Sequence, residues 1–460
     1  MPPPSTDCIA AIATPPGAGA IAVVRLSGKE AIEIADAVFR GKHPLGDAVS
    51  HSVHFGRMVD KDGRLLDEGL ATVFREPHSY SGENLVEFGF HGGGMIARSV
   101  LRAVLAAGAR QAEPGEFTRR AFLNGKMDLS QAEAVADLIA ATGVRAQRSS
   151  LAQLQGKLGV RVREMREELL NLCALLEIDL DFSEEGLQVI SPSVIAERIE
   201  RTDRQLAHMA DSFGVGRVYR NGVSVALAGR PNAGKSSLFN ALLSEERAIV
   251  APHPGTTRDT IEESMEVDGV YFRLTDTAGL REVPESVEAE GVRRAKLSMR
   301  GADIVLYVVD ASAAGEADML TEFEGGRHTR AVTALTKADL VGAAGVRQAL
   351  RRKFGDESVF TSAVTGEGVQ EVKIALRRVA VGMEPAENQD PVLISERHYR
   401  AVLDARGALA NARTALLSGK SNEFVAFDVR EGTAALGRIT GDVTSDEILN
   451  TIFGGFCVGK

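Results

Sequence analysis

Residues 229–236 read GRPNAGKS, which fits the pattern G-x-x-x-x-G-K-[ST]. A short apolar run, Val223–Ala228, precedes them and a helical run at residues 238–243 follows. In such a loop, successive backbone N–H groups curl around phosphate oxygens, a lysine (Lys235) supplies a positive charge and a hydroxyl (Ser236) can ligate Mg²⁺. The strand–loop–helix context predicts a P-loop and disfavours the alternative, a glycine-rich turn that holds a lysine by chance.

Three further motifs follow in the chain order that a guanine-nucleotide site requires. Residues 255–259 (GTTRD) offer a threonine for Mg²⁺ and the γ-phosphate, and residues 276–279 (DTAG) offer a carboxylate beside the metal and a glycine N–H. Residues 336–339 (TKAD) end in Asp339, whose carboxylate can accept hydrogen bonds from guanine N1–H and the exocyclic amine. Adenine lacks this donor pair, so the aspartate selects GTP. A P-loop followed by these motifs predicts a GTPase.

The residues expected to contact the nucleotide fall into five segments. They are Asn232, Ala233, Gly234, Lys235, Ser236 and Ser237; Ala251, Pro252, His253, Pro254, Gly255, Thr256 and Thr257; Asp276, Thr277, Ala278 and Gly279; Thr336, Lys337, Ala338 and Asp339; and Ser362 and Ala363. The last pair resembles the loop that contacts the guanine oxygen in other GTPases.

Two positions depart from the usual GTPase pattern. The guanine motif is usually Asn-Lys-x-Asp, and Thr336 replaces the asparagine. Because a hydroxyl can make only part of the amide's hydrogen bonds, we expect weaker nucleotide binding with unchanged base choice. Ras-like proteins also have a glutamine that orients the attacking water, and Leu280 stands in its place. Hydrolysis must therefore use another group.

The elements that must position these motifs divide the chain into four segments. Residues 1–123 mix short strand-like runs with glycine and proline, which indicates an α+β domain. Residues 124–219 show apolar spacing typical of helices, residues 220–380 alternate strand and helix, and residues 381–460 are helical again. We therefore predict a multidomain α+β and α/β fold, in which an α/β domain is inserted into a discontinuous helical domain.

Local signals also predict the limits of several helices. The first domain has one helical stretch, at residues 96–107. Ser130 and Glu133 form a capping-box candidate that opens a helix ending at Ala140. A further helix is expected from about residue 193 to residue 209.

The composition is that of a globular protein, with 44% hydrophobic and 25% charged residues and a formal net charge of −10. A nucleic-acid partner must therefore find a local basic face. The lack of tryptophan and the 5% of aromatic residues argue against single-strand binding by rows of stacked rings. The basic stretch at residues 141–170 is interpreted as a solvated surface. Three scattered cysteines, with no signal peptide and no membrane-spanning run, predict a cytoplasmic protein.

Short motifs outside the nucleotide site add to this pattern. They are ATPPG, RLSG, HSYSGE, HGG, EPGEF and CVGK, at residues 13–17, 25–28, 78–83, 91–93, 113–117 and 457–460. Together with the P-loop and DTAGLR at residues 276–281, they resemble the MnmE (TrmE) family of bacterial tRNA uridine-modification GTPases. The resemblance extends from about residue 7 to residue 460. The two ends are its specific part, because P-loop GTPases in general share only the middle.

The resemblance implies an N-terminal α+β folate-binding-type domain that mediates dimerisation, a discontinuous all-helical domain and an inserted Ras-like P-loop GTPase domain. It also implies a homodimer whose GTPase domains meet when K⁺ is bound, with K⁺ in the role of an arginine finger. The implied ligands are Asn232, Ala251, His253 and Thr256 for K⁺, and Ser236 and Thr257 for Mg²⁺. Glu288 would orient the attacking water. Without the family, Asn232 is equally well explained as a turn residue, and Glu285 or Glu290 would be equal choices for the acid.

The resemblance further implies a site for 5-formyl- or 5,10-methylene-tetrahydrofolate at Arg25, Glu87, Lys126 and Lys460. A carboxylate such as Glu87 can hold the guanine-like edge of a pterin, and cations suit the glutamate tail. The residues alone favour plainer interpretations, namely a strand-end arginine, an edge-strand acid and a solvated lysine. Cys457 is implied to act in modification, and whether it is a catalytic nucleophile stays open.

The implied function is that of a K⁺-dependent GTPase that acts on tRNA in a heterotetramer with an FAD-dependent partner, MnmG (GidA). The two would add a carboxymethylaminomethyl or aminomethyl group to C5 of wobble uridine, with carbon from methylene-tetrahydrofolate and nitrogen from glycine or ammonium. The alternative is a GTP-switched binding protein of ribosome assembly without modification chemistry. The nucleotide motifs fit both, whereas the first domain and residues 457–460 favour the enzyme.

Overall fold

The computed structural model describes residues 7–141, 143–183, 189–243, 262–267, 270–276, 301–313, 330–342, 344–381, 393 and 395–460. The chain divides into two compact units. One unit contains residues 1–136, 153–200 and 404–460, and the other contains residues 137–152 and 201–403. The predicted fold class, which combines an α+β domain, helices and an α/β P-loop domain, is confirmed. The residue limits predicted for the domains stay predictions.

A seven-stranded sheet forms the centre of the first unit, in the order β3-β4-β5-β6-β2-β1-β7. The strands are β1 (Ile9–Ile12), β2 (Ile21–Ser27), β3 (Phe39–Gly41), β4 (Ser52–Val59), β5 (Leu65–Phe74), β6 (Leu85–His91) and β7 (Arg110–Gln111). Neighbouring strands are antiparallel, except that β1 and β7 are parallel. Buried and less buried residues alternate along β2 and β6, so one face of the sheet is packed and the other is open.

Two helices, α1 (Ala31–Val38) and α2 (Gly94–Ala106), cover the packed face and share its hydrophobic core. A third helix, α3 (Glu116–Leu123), follows β7. The predicted stretch at residues 96–107 corresponds to α2, whereas α1 and α3 were not predicted. Each of these two helices has only 8 residues, about two turns, which is too short for a helical period to stand out in the sequence.

A six-stranded sheet lies in the second unit, in the order β13-β12-β11-β8-β10-β9. The strands are β8 (Val223–Ala228), β9 (Glu262–Val267), β10 (Val270–Asp276), β11 (Ile304–Asp310), β12 (Ala331–Thr336) and β13 (Val359–Phe360), and the helices beside them are α8 (Lys235–Leu243), α9 (Ala344–Phe354) and α10 (Val369–Val381). All paired strands are parallel except β9 and β10. The edge strand β9 was not predicted, because its sequence EESMEV alternates polar and apolar residues instead of forming an apolar run.

The remaining helices range from 9 to 30 residues in length. They are α4 (Leu129–Ala140), α5 (Val144–Leu154), α6 (Lys157–Ser183), α7 (Pro192–Asn221), α11 (Glu396–Leu417), α12 (Asn422–Thr440) and α13 (Asp446–Gly454). The apolar spacing of α6 buries Leu158, Val162 and Met165, as predicted. However, α7 continues to Asn221 and not to residue 209. In the ranges that the structure describes, no helix is long and apolar enough to cross a membrane.

The start of α4 differs from its predicted capping box. The backbone N–H of Gln131 donates to Asp128 Oδ1 at 3.0 Å, and the backbone N–H of Asp128 donates to Gln131 Oε1 at 2.9 Å. Ser130 instead donates its hydroxyl to Asp128 Oδ1 at 2.7 Å. The reciprocal cap is therefore formed by Asp128 and Gln131, and the prediction of Ser130 and Glu133 was wrong by two residues.

Candidate functional site

The P-loop connects β8 to α8, as its sequence predicts. Asn232 has φ +63° and Gly234 has φ +90°, so the loop turns through two left-handed residues before the helix begins. The Nζ of Lys235 donates to the carbonyls of Gly229 and Arg230 at 2.8 Å each. The lysine is thereby held across its own loop, which is the position from which an ammonium group can meet a phosphate.

The base of this loop lies against β11. A Cβ at Gly229 would lie 2.3 Å from the carbonyl oxygen of Val308, a contact that only glycine avoids. Ser236 and Asn232 are exposed, whereas Ala233 is buried. The hydroxyl of Ser236 and the amide of Asn232 offer oxygen atoms that can act as metal ligands, the first for Mg²⁺ and the second for K⁺.

Thr336 connects the guanine motif with the P-loop. Its side chain is 4% exposed, and its hydroxyl donates to the carbonyl of Ala233 at 2.5 Å and lies 3.0 Å from the carbonyl of Val309. Both contacts are to main-chain carbonyls. We predicted that this hydroxyl makes part of the hydrogen bonds of the asparagine amide that it replaces. In the structure, one of its hydrogen bonds goes to the P-loop.

The rest of the guanine motif follows on a short 3₁₀ turn, residues Ala338–Leu340. Lys337 has φ +54°, and its Nζ donates to Asp310 Oδ2 at 2.6 Å. Burial raises the pKa of Asp310, but the hydrogen bonds from Lys337 and Ser312 outweigh it and hold the pKa below its usual value. Asp339 is exposed, as a carboxylate that reads a base must be.

The predicted guanine-oxygen loop lies next to this motif. The backbone N–H of Ala338 donates to the carbonyl of Thr361 at 3.2 Å. The buried hydroxyl of Ser362 accepts from the N–H groups of Val364 and Thr365 at 3.3 Å each. The contacts of Ser362 therefore shape the loop, and Ala363 stands at its partly exposed tip.

Part of the predicted nucleotide site lies outside the described residues. These positions are Ala251, Pro252, His253, Pro254, Gly255, Thr256 and Thr257; Thr277, Ala278 and Gly279; and Leu280, Glu285, Glu288 and Glu290. Asp276 is the last residue of β10, where its backbone is in register with Leu227 of β8. This register brings the end of β10 beside the strand that leads into the P-loop.

A second group of predicted residues meets on the open face of the N-terminal sheet. Arg25 of β2 is in register with Glu87 of β6, and its Nε donates to Glu87 Oε1 at 2.7 Å. The guanidinium also lies over two rings, 5.4 Å from the centroid of Tyr80 and 5.7 Å from that of Phe117. β6 is the fourth of seven strands, so Glu87 is not an edge-strand acid, and Arg25 lies inside β2, not at its end.

Lys126 lies beside a cavity of about 380 Å³ that Tyr80 and His78 also line. Its Nζ donates to the carbonyl of Pro77 at 2.9 Å. Burial raises the pKa of the Tyr80 phenol, which lies 2.9 Å from the hydroxyl of Thr118 and stays neutral. Tyr80 therefore contacts Arg25 and also lines the cavity beside Lys126, a role that the sequence had not predicted.

Residues 457–460 contact the same region through main-chain groups. The N–H of Phe117 donates to the carbonyl of Lys460 at 3.2 Å, and the N–H of Gly115 donates to the carbonyl of Cys457 at 3.4 Å. Gly459 has φ +101°, and a Cβ there would lie 2.4 Å from the carbonyl oxygen of Ile12. Lys460 therefore lies beside the residue whose ring packs on Arg25, and the Cys457 thiol is exposed.

An ion network at α3 supports this arrangement. Glu116 accepts hydrogen bonds from Arg110 at 2.7 and 3.0 Å and from Arg120 at 3.1 Å, and Arg120 also donates to Glu83 and Asp7. Burial raises the pKa of Glu116, but the hydrogen bonds from Arg110, from the N–H of Glu113 and from Arg120 outweigh it and lower the pKa. The network fixes α3, which carries Phe117.

Comparison with known proteins gives the same assignment at both ends of the chain. Residues 8–126 match the family described as GTP-binding protein TrmE N-terminus, and residues 129–457 match the MnmE helical domain. A tRNA modification GTPase MnmE of Chlorobium luteolum is 46% identical over 98% of this chain and 97% of that protein. The proteins of the same name from Salinibacter ruber and Symbiobacterium thermophilum are 43% and 44% identical, and each match covers 99% of both chains.

Identity at this level over the whole length shows the family. With its P-loop between β8 and α8, the chain is a GTP-hydrolysing enzyme that binds GTP, and it belongs to the family of the tRNA modification GTPase MnmE.

Proposed function

We propose that this GTPase acts in the modification of tRNA. With an FAD-dependent partner it adds a carboxymethylaminomethyl or aminomethyl group to C5 of the wobble uridine, and tetrahydrofolate supplies the one-carbon unit. The observation that carries the proposal is the Arg25–Glu87 pair, enclosed by Tyr80 and Phe117, in the same chain as a P-loop. A GTP-switched assembly factor does not need a folate-type site.

The Arg25–Glu87 region has the donors and acceptors that a folate requires. Both contacts of Arg25 to Glu87 fall on Oε1, so Oε2 can accept from the guanine-like edge of a pterin. The faces of Tyr80 and Phe117 suit a flat ring, and the cation of Lys126 suits a carboxylate tail. Lys460 completes the proposed set.

In the GTPase domain, Lys235 and Ser236 would hold phosphate and Mg²⁺, together with Thr257 and Asp276, and Asp339 would read guanine. For K⁺ we propose Asn232, with Ala251, His253 and Thr256 as further ligands and Glu288 as the residue that orients water. Asn232 is exposed and has a left-handed backbone, so it lies in the P-loop and not in the helix that follows. Its amide oxygen can therefore reach a cation bound at the loop.

We propose that the chain forms a homodimer through the open face of the N-terminal sheet. This face carries the exposed apolar side chains Val53, Phe55 and Leu70. The register Val53–Thr72–Glu87–Arg25 across four strands makes the patch continuous with the proposed folate site. Exposed apolar side chains that cluster on one face are typical of a protein–protein interface.

The first test is nucleoside mass spectrometry of bulk tRNA from cells that lack the protein and from cells in which it is restored. We expect the carboxymethylaminomethyl and aminomethyl uridines to disappear and to return. An unchanged profile would support the assembly-factor alternative.

Faster GTP turnover in KCl than in NaCl is expected for the K⁺ mechanism, and equal rates would exclude it.

The folate site and the thiol are tested with variants. Arg25→Ala is expected to weaken binding of 5-formyl-tetrahydrofolate by about tenfold or more, since hydrogen bonds to charged groups contribute about 1.5–3 kcal/mol. Arg57→Ala is the matched control, because Arg57 forms an exposed pair with Glu68 on the same sheet.

Cys457→Ser is expected to abolish modification while GTP turnover persists, and normal modification by this variant would exclude a role of the thiol in the modification.

A further inference from the structure

A second cavity, of about 510 Å³, lies in the N-terminal unit and is separate from the one beside Lys126. It is enclosed by the loop between β1 and β2, by the first half of α2 and by Val458. Its lining includes Thr14, Pro16, Gly19, Gly93, Arg98 and Val458. The volume falls within the range of about 300–1,000 Å³ in which small-molecule sites are found.

The two glycine-rich walls of this cavity are held together by main-chain contacts. The N–H of Gly19 donates to the carbonyl of Gly92 at 2.9 Å, and the N–H of Gly92 donates to the carbonyl of Ala20 at 3.2 Å. A Cβ at Gly92 would lie 2.3 Å from the carbonyl oxygen of Gly19. The close approach of the walls fixes the shape of the cavity before any ligand enters.

The charge beside the cavity is positive. α2 contains Arg98 and Arg102, four residues apart, and no acidic residue. Both side chains are exposed, and no ion pair found among the residues that the structure describes involves either of them. By contrast, Arg163 and Arg166 of the basic stretch on α6 are paired with acids. In a chain with net charge −10, α2 is therefore a local basic face suited to phosphates.

The cavity also reaches the C-terminal motif CVGK. Val458 lines its wall, and Cys457 is the preceding residue. None of Arg25, Glu87, Lys126 and Lys460 is among the residues that line it. A ligand in this cavity would therefore contact the segment that carries Cys457 without occupying the proposed folate site.

We propose that this cavity binds the unstacked pyrimidine nucleotide of an RNA substrate, with flanking phosphates on Arg98 and Arg102. The proposal rests on the proposed function in tRNA modification. Enzymes that act on a base must take it out of the helical stack and enclose it. The proline and glycine walls accommodate a flat ring, Thr14 and Gln111 offer polar groups for its edge, and the arginines hold the backbone.

The test uses the full-length protein and an anticodon stem-loop RNA with 4-thiouridine at the wobble position. After irradiation, the cross-linked peptide is identified by mass spectrometry. Cross-links within residues 14–19, 92–98 or 457–458 are the expected result. Cross-links confined to other residues, with the RNA bound, would overturn the cavity assignment alone. If the wild-type protein binds no RNA, both this assignment and the proposed function fail.

A pair of variants gives an independent measurement. Arg98→Ala combined with Arg102→Ala is expected to weaken stem-loop binding about tenfold at about 0.1 M salt. Loss of two phosphate contacts in a single-stranded loop should also reduce the slope of log K against log[salt] by about 1.4. Arg64→Ala, at an exposed arginine in the turn between β4 and β5, is the control, and GTP turnover should be unchanged in both. Unchanged RNA affinity, or a loss of folate binding in its place, would overturn the proposal.

Discussion

At the scale of single residues, the buried hydroxyl of Thr336 connects the P-loop with the strand that carries the guanine motif. Its contact to the carbonyl of Ala233 joins the end of β12 to the P-loop, and its contact to the carbonyl of Val309 joins it to β11, so the two motifs proposed to hold different ends of the nucleotide touch each other. A residue in this position influences phosphate and base binding together. It would therefore act on affinity and not on the choice between bases.

We predict that Thr336→Val weakens binding of GTP and of inosine triphosphate by the same factor. Loss of a buried hydrogen bond that leaves a carbonyl unsatisfied costs about 1–3 kcal/mol, or roughly 5- to 150-fold in affinity. Titration with fluorescent analogues of both nucleotides measures the two constants. Thr336→Ser keeps the hydroxyl and serves as the control. Inosine lacks the exocyclic amine, so a loss confined to GTP would instead place Thr336 in contact with the base.

The three cysteines differ in environment, and a thiol reagent should distinguish them. Burial raises the pKa of Cys8 to about 12 and that of Cys173 to about 11, whereas Cys457 is exposed. Because the thiolate is the reactive form, we predict one fast-reacting thiol per native chain and three after unfolding in denaturant. Spectrophotometric titration with an aromatic disulfide gives both counts. Cys457→Ser should remove the fast phase, and a fast phase that persists would contradict the assignment.

At the scale of elements, α3 is fixed by charge as well as by packing. Its first residue, Glu116, receives hydrogen bonds from Arg110 and Arg120, while Phe117 packs beneath Arg25. A carboxylate with a lowered pKa contributes stability above the usual pKa of glutamate, about 4.3. That contribution is lost as the pH falls through the lower value of the folded state.

We predict that Glu116→Gln lowers the free energy of unfolding by about 1–3 kcal/mol at pH 7, since it removes hydrogen bonds between charged groups. As the pH falls below the usual pKa of glutamate and through the lower pKa of the folded state, the wild-type carboxylate takes up a proton, so the difference between the two proteins should shrink. Urea denaturation at several pH values measures it. Glu113→Gln, an exposed neighbour, should show no such difference. A difference that stays constant with pH would mean that the charge of Glu116 is not the cause.

Element by element, the sequence was informative where a pattern repeats and uninformative where a contact is long-range. The apolar strands β8 and β11 and the spacing of α6 were predicted because each is buried over several turns or residues. The cap at Asp128 was missed because Ser130 offered an equally suitable hydroxyl. The pairing of Arg25 with Glu87 depends on the register of strands 62 residues apart, which no local pattern contains. The residues of that site were therefore named from a family resemblance, and only the structure brings them together with Tyr80.

At the scale of the whole molecule, the open face of the N-terminal sheet is exposed apolar surface next to a charged pair. Phe55 is 68% exposed and is in register with Leu70 on the neighbouring strand. Val53, two residues before Phe55, begins the row of in-register residues that crosses the sheet to Arg25. A face of this kind costs free energy in water, and association of two copies would bury it. The proposed dimer would at the same time enclose the folate site.

We predict that Phe55→Glu converts a dimer into a monomer, because a carboxylate buried at the centre of an apolar interface would lose its hydration without a partner. Sedimentation equilibrium should give a mass near twice 49.0 kDa for the wild type and 49.0 kDa for the variant. Leu417→Glu is the matched control, since Leu417 is 72% exposed but belongs to α11 and not to the sheet. If Phe55→Glu leaves the mass unchanged, the copies associate through another surface. If the variant is monomeric and K⁺ no longer stimulates its GTP turnover, association through the N-terminal face is required before the GTPase domains of the two copies can meet.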